Sequence, residues 1–219
     1  MQVVIRESKD AAVRLAAAVI AAALREEPHL VLGLATGRTM EALYARLAAM
    51  HREEGLDFSL AVTFNLDEYI GLPPDHRNSY RYYMHHHLFR HVNIDPRNTH
   101  LPDGMAHDVA AECRRYEQRI RSFGGIDLQV LSIGISGHIG FNEPLSSMRS
   151  RTREKALTPQ TILQNSPLFE RPEEMPRRAI TMGVGTILEA DRCLMLVTGD
   201  TKAAVVAKAV EGPVTSMIS

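Results

Sequence analysis

Two uninterrupted apolar runs, "HLVLGLA" at 29–35 and "IDLQVLSIGI" at 126–135, limit the fold more than any other feature. A strand wetted on one face alternates apolar and polar residues, whereas a strand covered on both faces reads as a continuous apolar run. Helical patterns stand between such runs. Residues 8–26 are periodic and opened by Ser8 or Asp10, 39–52 carry Leu43, Leu47 and Met50 on one side, 79–92 are helical, and 109–124 end at Gly124. Further strands are expected at "QVVIR" (2–6), "LAVTFNLDEY" (60–69, with its exit), "NTHLPDG" (a short strand and turn), "RAITMG" and "RCLMLV", with a short helix at "GTILEA" and a last helix at "TKAAVVAKAVEG". The stretch between 135 and 177 reads as irregular. Strands alternating with helices predict a three-layer α/β fold, a mostly parallel, Rossmann-like sheet with helices on both faces. Without repeats, low-complexity tracts or linkers, residues 1–219 are expected to form one domain.

Charge and cysteine usage exclude several classes. The net charge is −1 with both signs interspersed, so neither a nucleic-acid nor an anionic-membrane partner is indicated. Cys113 and Cys193 are far apart and form no C-x-x-C pair, which suits a reducing compartment. The apolar segment Leu15 to Leu24 is too short to span a bilayer and comes after mixed charges, so a core-facing helix and a cytoplasmic protein are expected. The triplet His85 to His87 suggests a metal only at first sight. Consecutive helical residues point about 100° apart, so the three cannot converge on one ion, and no metal site is expected.

In parallel sheets ligands bind beyond the carboxyl ends of the strands. Four strand exits carry chemistry here: "GLATGRT", "NLDEY", "SGHIGFNEP" and "VTGDTK". In the first, Gly37 lets a ligand approach the backbone, Thr36 and Thr39 offer hydroxyls, and Arg38 adds charge at a helix start. In the last, Lys202 near a helix start opposes the usual dipole preference, a cost that an anionic ligand would offset. Two such loops suggest a small phosphorylated metabolite. Asp67, at the end of an apolar strand, is a candidate base, although spacing does not say whether it or Glu68 faces inward. His138 and Glu143 form a candidate acid–base unit working near neutral pH. The ordinary alternatives are a capped turn, a surface lysine and a structural histidine.

With these residues gathered, the chain resembles the glucosamine-6-phosphate deaminases, also called isomerases, which share a fold with the 6-phosphogluconolactonases. The resemblance rests on "GLATGRT", "FNLDEYIGLP", "SYRYYMHHHLF", "GHIGFNEP", "SRTREKALT", "GVGTILEA" and "GDTKAAVVAKAVEG", in family order. It implies conversion of glucosamine 6-phosphate and water to fructose 6-phosphate and ammonia, with no metal or organic cofactor. It also implies that Asp67 moves a proton between C2 and C1, that His138, oriented by Glu143, assists ring opening, and that Thr36, Gly37, Arg38, Thr39 and Lys202 hold the phosphate. Family members are variously monomers and homo-oligomers. A lactonase, another sugar-phosphate isomerase and a non-catalytic sugar-phosphate sensor are the competing readings.

Departures from the family pattern are informative. Ser136 stands where hexameric members carry an Asp two residues before the histidine, and serine can hydrogen-bond but supplies no charge. Pro167 stands where the family has a phosphate-binding arginine, and Arg38 is expected to replace that charge from the other side. The resemblance also implies a further strand and segment after the apolar end "PVTSMIS". Ser146, Ser147, Arg153 and Lys155 match positions of the family's allosteric site for N-acetylglucosamine 6-phosphate; the ordinary alternative is a loop that binds nothing.

Overall fold

The structure is a computed structural model that describes residues 1–217. Five strands form a parallel sheet: β1 (Val31–Leu34), β2 (Val62–Asn65), β4 (Thr99–His100), β5 (Leu128–Leu131) and β8 (Arg192–Met195), in the order β4-β2-β1-β5-β8. Every residue of β1, β2 and β5 is buried, as their apolar runs require. Helices α1 (Lys9–Glu26), α2 (Arg38–Glu54), α4 (Val109–Ser122) and α6 (Val184–Leu188) contribute side chains to the same core. The α/β class expected from the alternation is the one observed. Each fully buried Leu or Phe in this core, such as Leu32, Leu43 and Phe64, contributes about 1.5–3 kcal/mol.

Local signals explain the element ends. Ser8 caps α1, its hydroxyl accepting from Ala11 N–H at 3.1 Å. α4 stops where Gly124 and Gly125 take φ of +90° and +112°. Gly33 interrupts β1 because its register partner Gln129 lays its amide across that position, and any Cβ at 33 would overlap it.

Several expectations need correction. Residues 2–6 form no strand; Val3, Val4 and Ile5 are exposed and the segment has no ladder partner among the described residues, without which an extended chain does not hold. The run 60–69 is two strands rather than one, because the chain leaves the parallel sheet after Asn65. Asp67–Tyr69 becomes β3 and pairs antiparallel with β7 (Arg178–Thr181), which also pairs antiparallel with β6 (Arg153–Ala156). A second, three-stranded sheet, β3-β7-β6, therefore stands beside the first, and the stretch 135–177 is ordered, containing β6 and α5 (Pro159–Asn165). Its own apolar cluster includes Tyr69, Phe141, Leu157, Phe169 and Met175. The helix expected at 79–92 is α3 (Tyr80–His87) succeeded by a 3-10 turn, Phe89–His91. Lys202 lies in the 3-10 turn Asp200–Lys202 just before α7 (Ala203–Glu211), not inside the helix. Cys193 is exposed on the edge strand β8. The further strand and segment implied after "PVTSMIS" lie outside the described residues.

Candidate active site

β1 has β2 on one side and β5 on the other, so the chain reverses its direction of travel across the sheet there. A crevice at the carboxyl ends of such strands is the usual ligand position. The loop after β1 enters α2 through Gly37, whose φ of +107° is open to glycine at little cost. Tyr44 hydroxyl donates to Ala35 O, and Tyr83 hydroxyl donates to Gly37 O at 2.8 Å, so two tyrosines pin the loop. Thr36 and Thr39 are half-buried, and Arg38 is exposed as the first residue of α2. Beyond β8, half-buried Lys202 donates to Ser132 Oγ, at the exit of β5, at 3.3 Å. Burial depresses its pKa.

The loop after β5 is shaped around His138. Gly134 N–H donates to His138 O at 2.8 Å, and any Cβ at 134 would overlap the imidazole. Gly137 and Gly140 take positive φ on either side of the histidine. Ser136 Oγ is 2.6 Å from His138 Nδ1 and donates to Glu143 Oε2 at 3.0 Å. The direct distance from His138 Nδ1 to Glu143 Oε2 is 3.6 Å, so the serine bridges the two. A hydroxyl has one proton; with that proton on Glu143, Nδ1 must donate to Ser136 and Nε2 is left as the ring's acceptor. Thr158 and Thr161 hydroxyls donate to Glu143 Oε1 at 3.2 and 3.0 Å. Burial lowers the pKa of His138 and Lys202 adds to this, while Glu143 opposes them. The ring is therefore held neutral, with Lys202 within its electrostatic reach.

Asp67 opens β3 opposite Thr181. It is 5% exposed and makes no side-chain hydrogen bond among the described residues. A Cβ at Gly140 would lie 3.2 Å from Asp67 Oδ2, which places this carboxyl against the His138 loop. That loop is fixed to β7 by Asn142, whose amide donates to Ile139 O and Met182 O at 3.0 and 2.8 Å. Burial, and then the charge of Glu68, push the Asp67 pKa up to about 8.

The structure thus brings Asp67, His138, Ser136, Glu143 and Lys202 to one end of the sheet. It does not join the four residues matched to an allosteric site. Ser146 is buried with its N–H on Glu143 O, Ser147 is exposed, and Arg153 and Lys155 lie on β6; no hydrogen bond or ion pair links the serines to these cations among the described residues. Pro167 lies exposed in the 3-10 turn Ser166–Leu168. Tyr82 and Tyr83 pack on His86 and His87, whose own rings stand 79° apart. Among the described residues no group of three or more His, Cys, Asp or Glu could hold a metal ion. Sequence reasoning missed Thr158, Thr161, Ser132 and Gly134. Of these only Thr158 left a signal, a Thr-Pro step that opens α5 as a cap with proline at the first helical position.

Two glycine-bearing strand exits, a buried carboxyl and a neutral imidazole thus gather at one end of the sheet. Residues 6–217 match the family described as glucosamine-6-phosphate isomerases/6-phosphogluconolactonase, and the chain belongs to that family. Among curated relatives, glucosamine-6-phosphate deaminase of Hahella chejuensis is 50% identical over 217 residues, covering 99% of this chain and 83% of the relative. That of Thermoanaerobacter pseudethanolicus is 45% identical over 218 residues, covering 100% and 86%. A solved monomeric glucosamine-6-phosphate deaminase superposes with a TM-score of 0.97 at 43% identity, covering 100% of this chain and 90% of that one. A 6-phosphogluconolactonase from Thermotoga maritima superposes at 0.72 with 19% identity over 96% and 88%, a likeness of fold alone. No helix among the described residues is long and apolar enough to cross a membrane.

Proposed function

We propose that this chain converts glucosamine 6-phosphate and water to fructose 6-phosphate and ammonia. The observation that carries the reading is a desolvated carboxyl, Asp67, set against the glycine-rich loop that holds a neutral His138. The names of relatives at 45–50% identity over the whole chain support the same reaction.

The roles come from the chemistry. His138 Nε2, the free acceptor of the ring, takes the proton of the sugar's anomeric hydroxyl and returns one to the ring oxygen as the pyranose opens. Ser136 and Glu143 keep the opposite nitrogen occupied, so the ring presents the same atom each time. Asp67 is protonated in the free protein at neutral pH, since its pKa is about 8. An ammonium on C2 of the bound sugar favours the charged carboxylate, so the substrate itself readies the base. Asp67, its own proton passed to solvent as the ammonium binds, takes the C2 proton and delivers it to C1, while one ammonium proton moves to O1. The aldose becomes a ketose-level iminium, and water adds at C2 to release ammonia. Thr36, Gly37, Thr39 and Lys202 receive the phosphate, and Arg38 supplies a second positive charge at the same end. Arg38→Ala and Lys202→Ala are each expected to raise KM for the phosphorylated sugar about tenfold or more with a smaller change in kcat, in keeping with a lost charge-assisted contact. An unchanged KM in Arg38→Ala would remove that residue from the site.

Ammonia release from glucosamine 6-phosphate by purified protein tests the reaction. Turnover in the wild type, lost in Asp67→Asn, is the expected result. Hydrolysis of 6-phosphogluconolactone without ammonia release would assign the site to the lactonase branch instead.

A further inference from the structure

A cavity of about 330 Å³ lies on the Glu68 side of β3, walled by α3, β4 and α4. Consecutive strand residues point to opposite faces, so this cavity is turned away from Asp67. Its chemistry is carried by Glu68, Asp103 and Glu112 on one side of the charge balance and by Arg81, Arg115, Arg119 and His100 on the other. All three carboxylates are already committed; Asp103 Oδ1 accepts from Met105 N–H at 2.9 Å. Glu68 Oε1 accepts from the N–H groups of Tyr69 and Tyr80 at 2.8 and 2.9 Å, and Oε2 from Arg81 N–H at 2.9 Å. Glu112 accepts from Asp103 N–H at 2.8 Å and pairs with Arg115, whose Nε lies 2.7 Å away. Arg81 and Arg119 form no ion pair with a carboxylate among the described residues.

His100 adds an independent observation. It is 7% exposed, and its Nδ1 faces an Arg119 nitrogen at 3.5 Å. A guanidinium only donates, so Nδ1 accepts and the neutral ring carries its proton on Nε2. That Nε2 is buried with no hydrogen-bond partner among the described residues. Burial, then Arg119 and Arg81, push the His100 pKa down to about 4, which keeps the ring neutral and shows both guanidiniums to be within its electrostatic reach.

We propose that this cavity is a second ligand site, which takes a small dianionic oxyanion, a phosphate monoester or a dicarboxylate, on the guanidinium groups of Arg81 and Arg119. The carboxylates of the cavity are held by backbone N–H groups and by Arg115, so the guanidiniums of Arg81 and Arg119 keep their donors open, and the planar fork of arginine matches both oxyanion geometries. The volume is at the small end of the range for ligand cavities. No residue of this site belongs to the loops around Lys202, so it is separate from the substrate's phosphate grip.

Calorimetric titration of the intact protein with inorganic phosphate, and separately with malonate, tests the proposal. Competitive inhibition of ammonia release by the same anions reports the substrate site independently. A second binding event is expected, weakened at least tenfold in Arg81→Gln and in Arg119→Gln, with the competitive inhibition constant changed less than twofold. Arg119 is exposed, so its replacement leaves the core intact, and Arg119→Lys should retain measurable affinity. Phosphate binding more tightly than malonate identifies a phosphate monoester as the ligand class, and the reverse order a dicarboxylate. Titrations that fit a single site matching the inhibition constant, or arginine variants that bind as the wild type does, overturn the proposal.

Discussion

The two faces of β3 treat neighbouring carboxyl groups in opposite ways. Glu68 and Asp67 are both nearly out of water, at 3% and 5% exposure. Glu68 receives three backbone N–H groups, from its own strand neighbour and the start of α3, and these oppose the burial that raises its pKa. Asp67 receives none and faces a glycine and a threonine. Burial alone therefore does not make a carboxyl reactive. What distinguishes the two is whether the backbone has already met the charge. Glu68 is a brace that ties β3 to α3, and Asp67 is a group left unsatisfied until a ligand arrives.

Substitution on each face should separate brace from base. Asp67→Asn is expected to lower kcat by about 10²–10⁴, the range for a lost general base, while unfolding at an unchanged or higher temperature. Glu68→Ala should do the reverse. Three N–H groups lose their acceptor at about 1–3 kcal/mol for each one left dry, so stability falls by several kcal/mol, and turnover per folded molecule changes far less. Thermal unfolding and ammonia release, measured on both variants, check the pair; similar losses of kcat in both would abolish the distinction.

The contrast sharpens at the histidine, where a neutral hydroxyl does the bridging. Ser136→Ala should leave Nδ1 without its acceptor and free the ring to take the other tautomer. A drop of about ten- to a hundredfold in kcat is expected, with KM nearly constant, and Ser136→Asp should recover part of it. Full activity in Ser136→Ala would mean that Glu143 orients the ring without help. The smallest effect is expected at Leu145, which comes after the Glu143-Pro144 step with φ of +73° although it is not glycine. Leu145→Gly should relieve about 1–2 kcal/mol of backbone strain, offset in part by glycine's greater freedom when unfolded, for a net rise in melting temperature of a few degrees. A fall in melting temperature would show that the Leu145 side chain, 73% exposed, packs more than its burial indicates.

How much of this could be read from the sequence depended on how local each cause was. The apolar runs at 29–35 and 126–135, the glycine stop at 124 and the Ser8 cap are local, and they led to the parallel sheet and the helix ends. The strand exits pointed to the right end of the sheet because that rule needs only element order. The split of 60–69 was not legible, since Asp67–Tyr69 pairs with residues more than a hundred positions away on β7. The same pairing decides which of Asp67 and Glu68 faces the His138 loop. Glu143 was found, but its holders Thr158 and Thr161 lay in a stretch with no periodicity. Gly134 reads as part of a buried strand because the imidazole that lies across it belongs to a loop residue further along the chain.

The protonation of Asp67 in the free protein is the claim on which the division of β3 rests. It can be monitored by carbon-13 NMR of protein labelled at aspartate carboxyl groups, with Asp67→Asn used to assign the resonance. A carboxyl that titrates near 8, in line with its raised pKa, is the expected result. Titration near 4, the ordinary aspartate value, would contradict it and make Asp67 no different in kind from its neighbour.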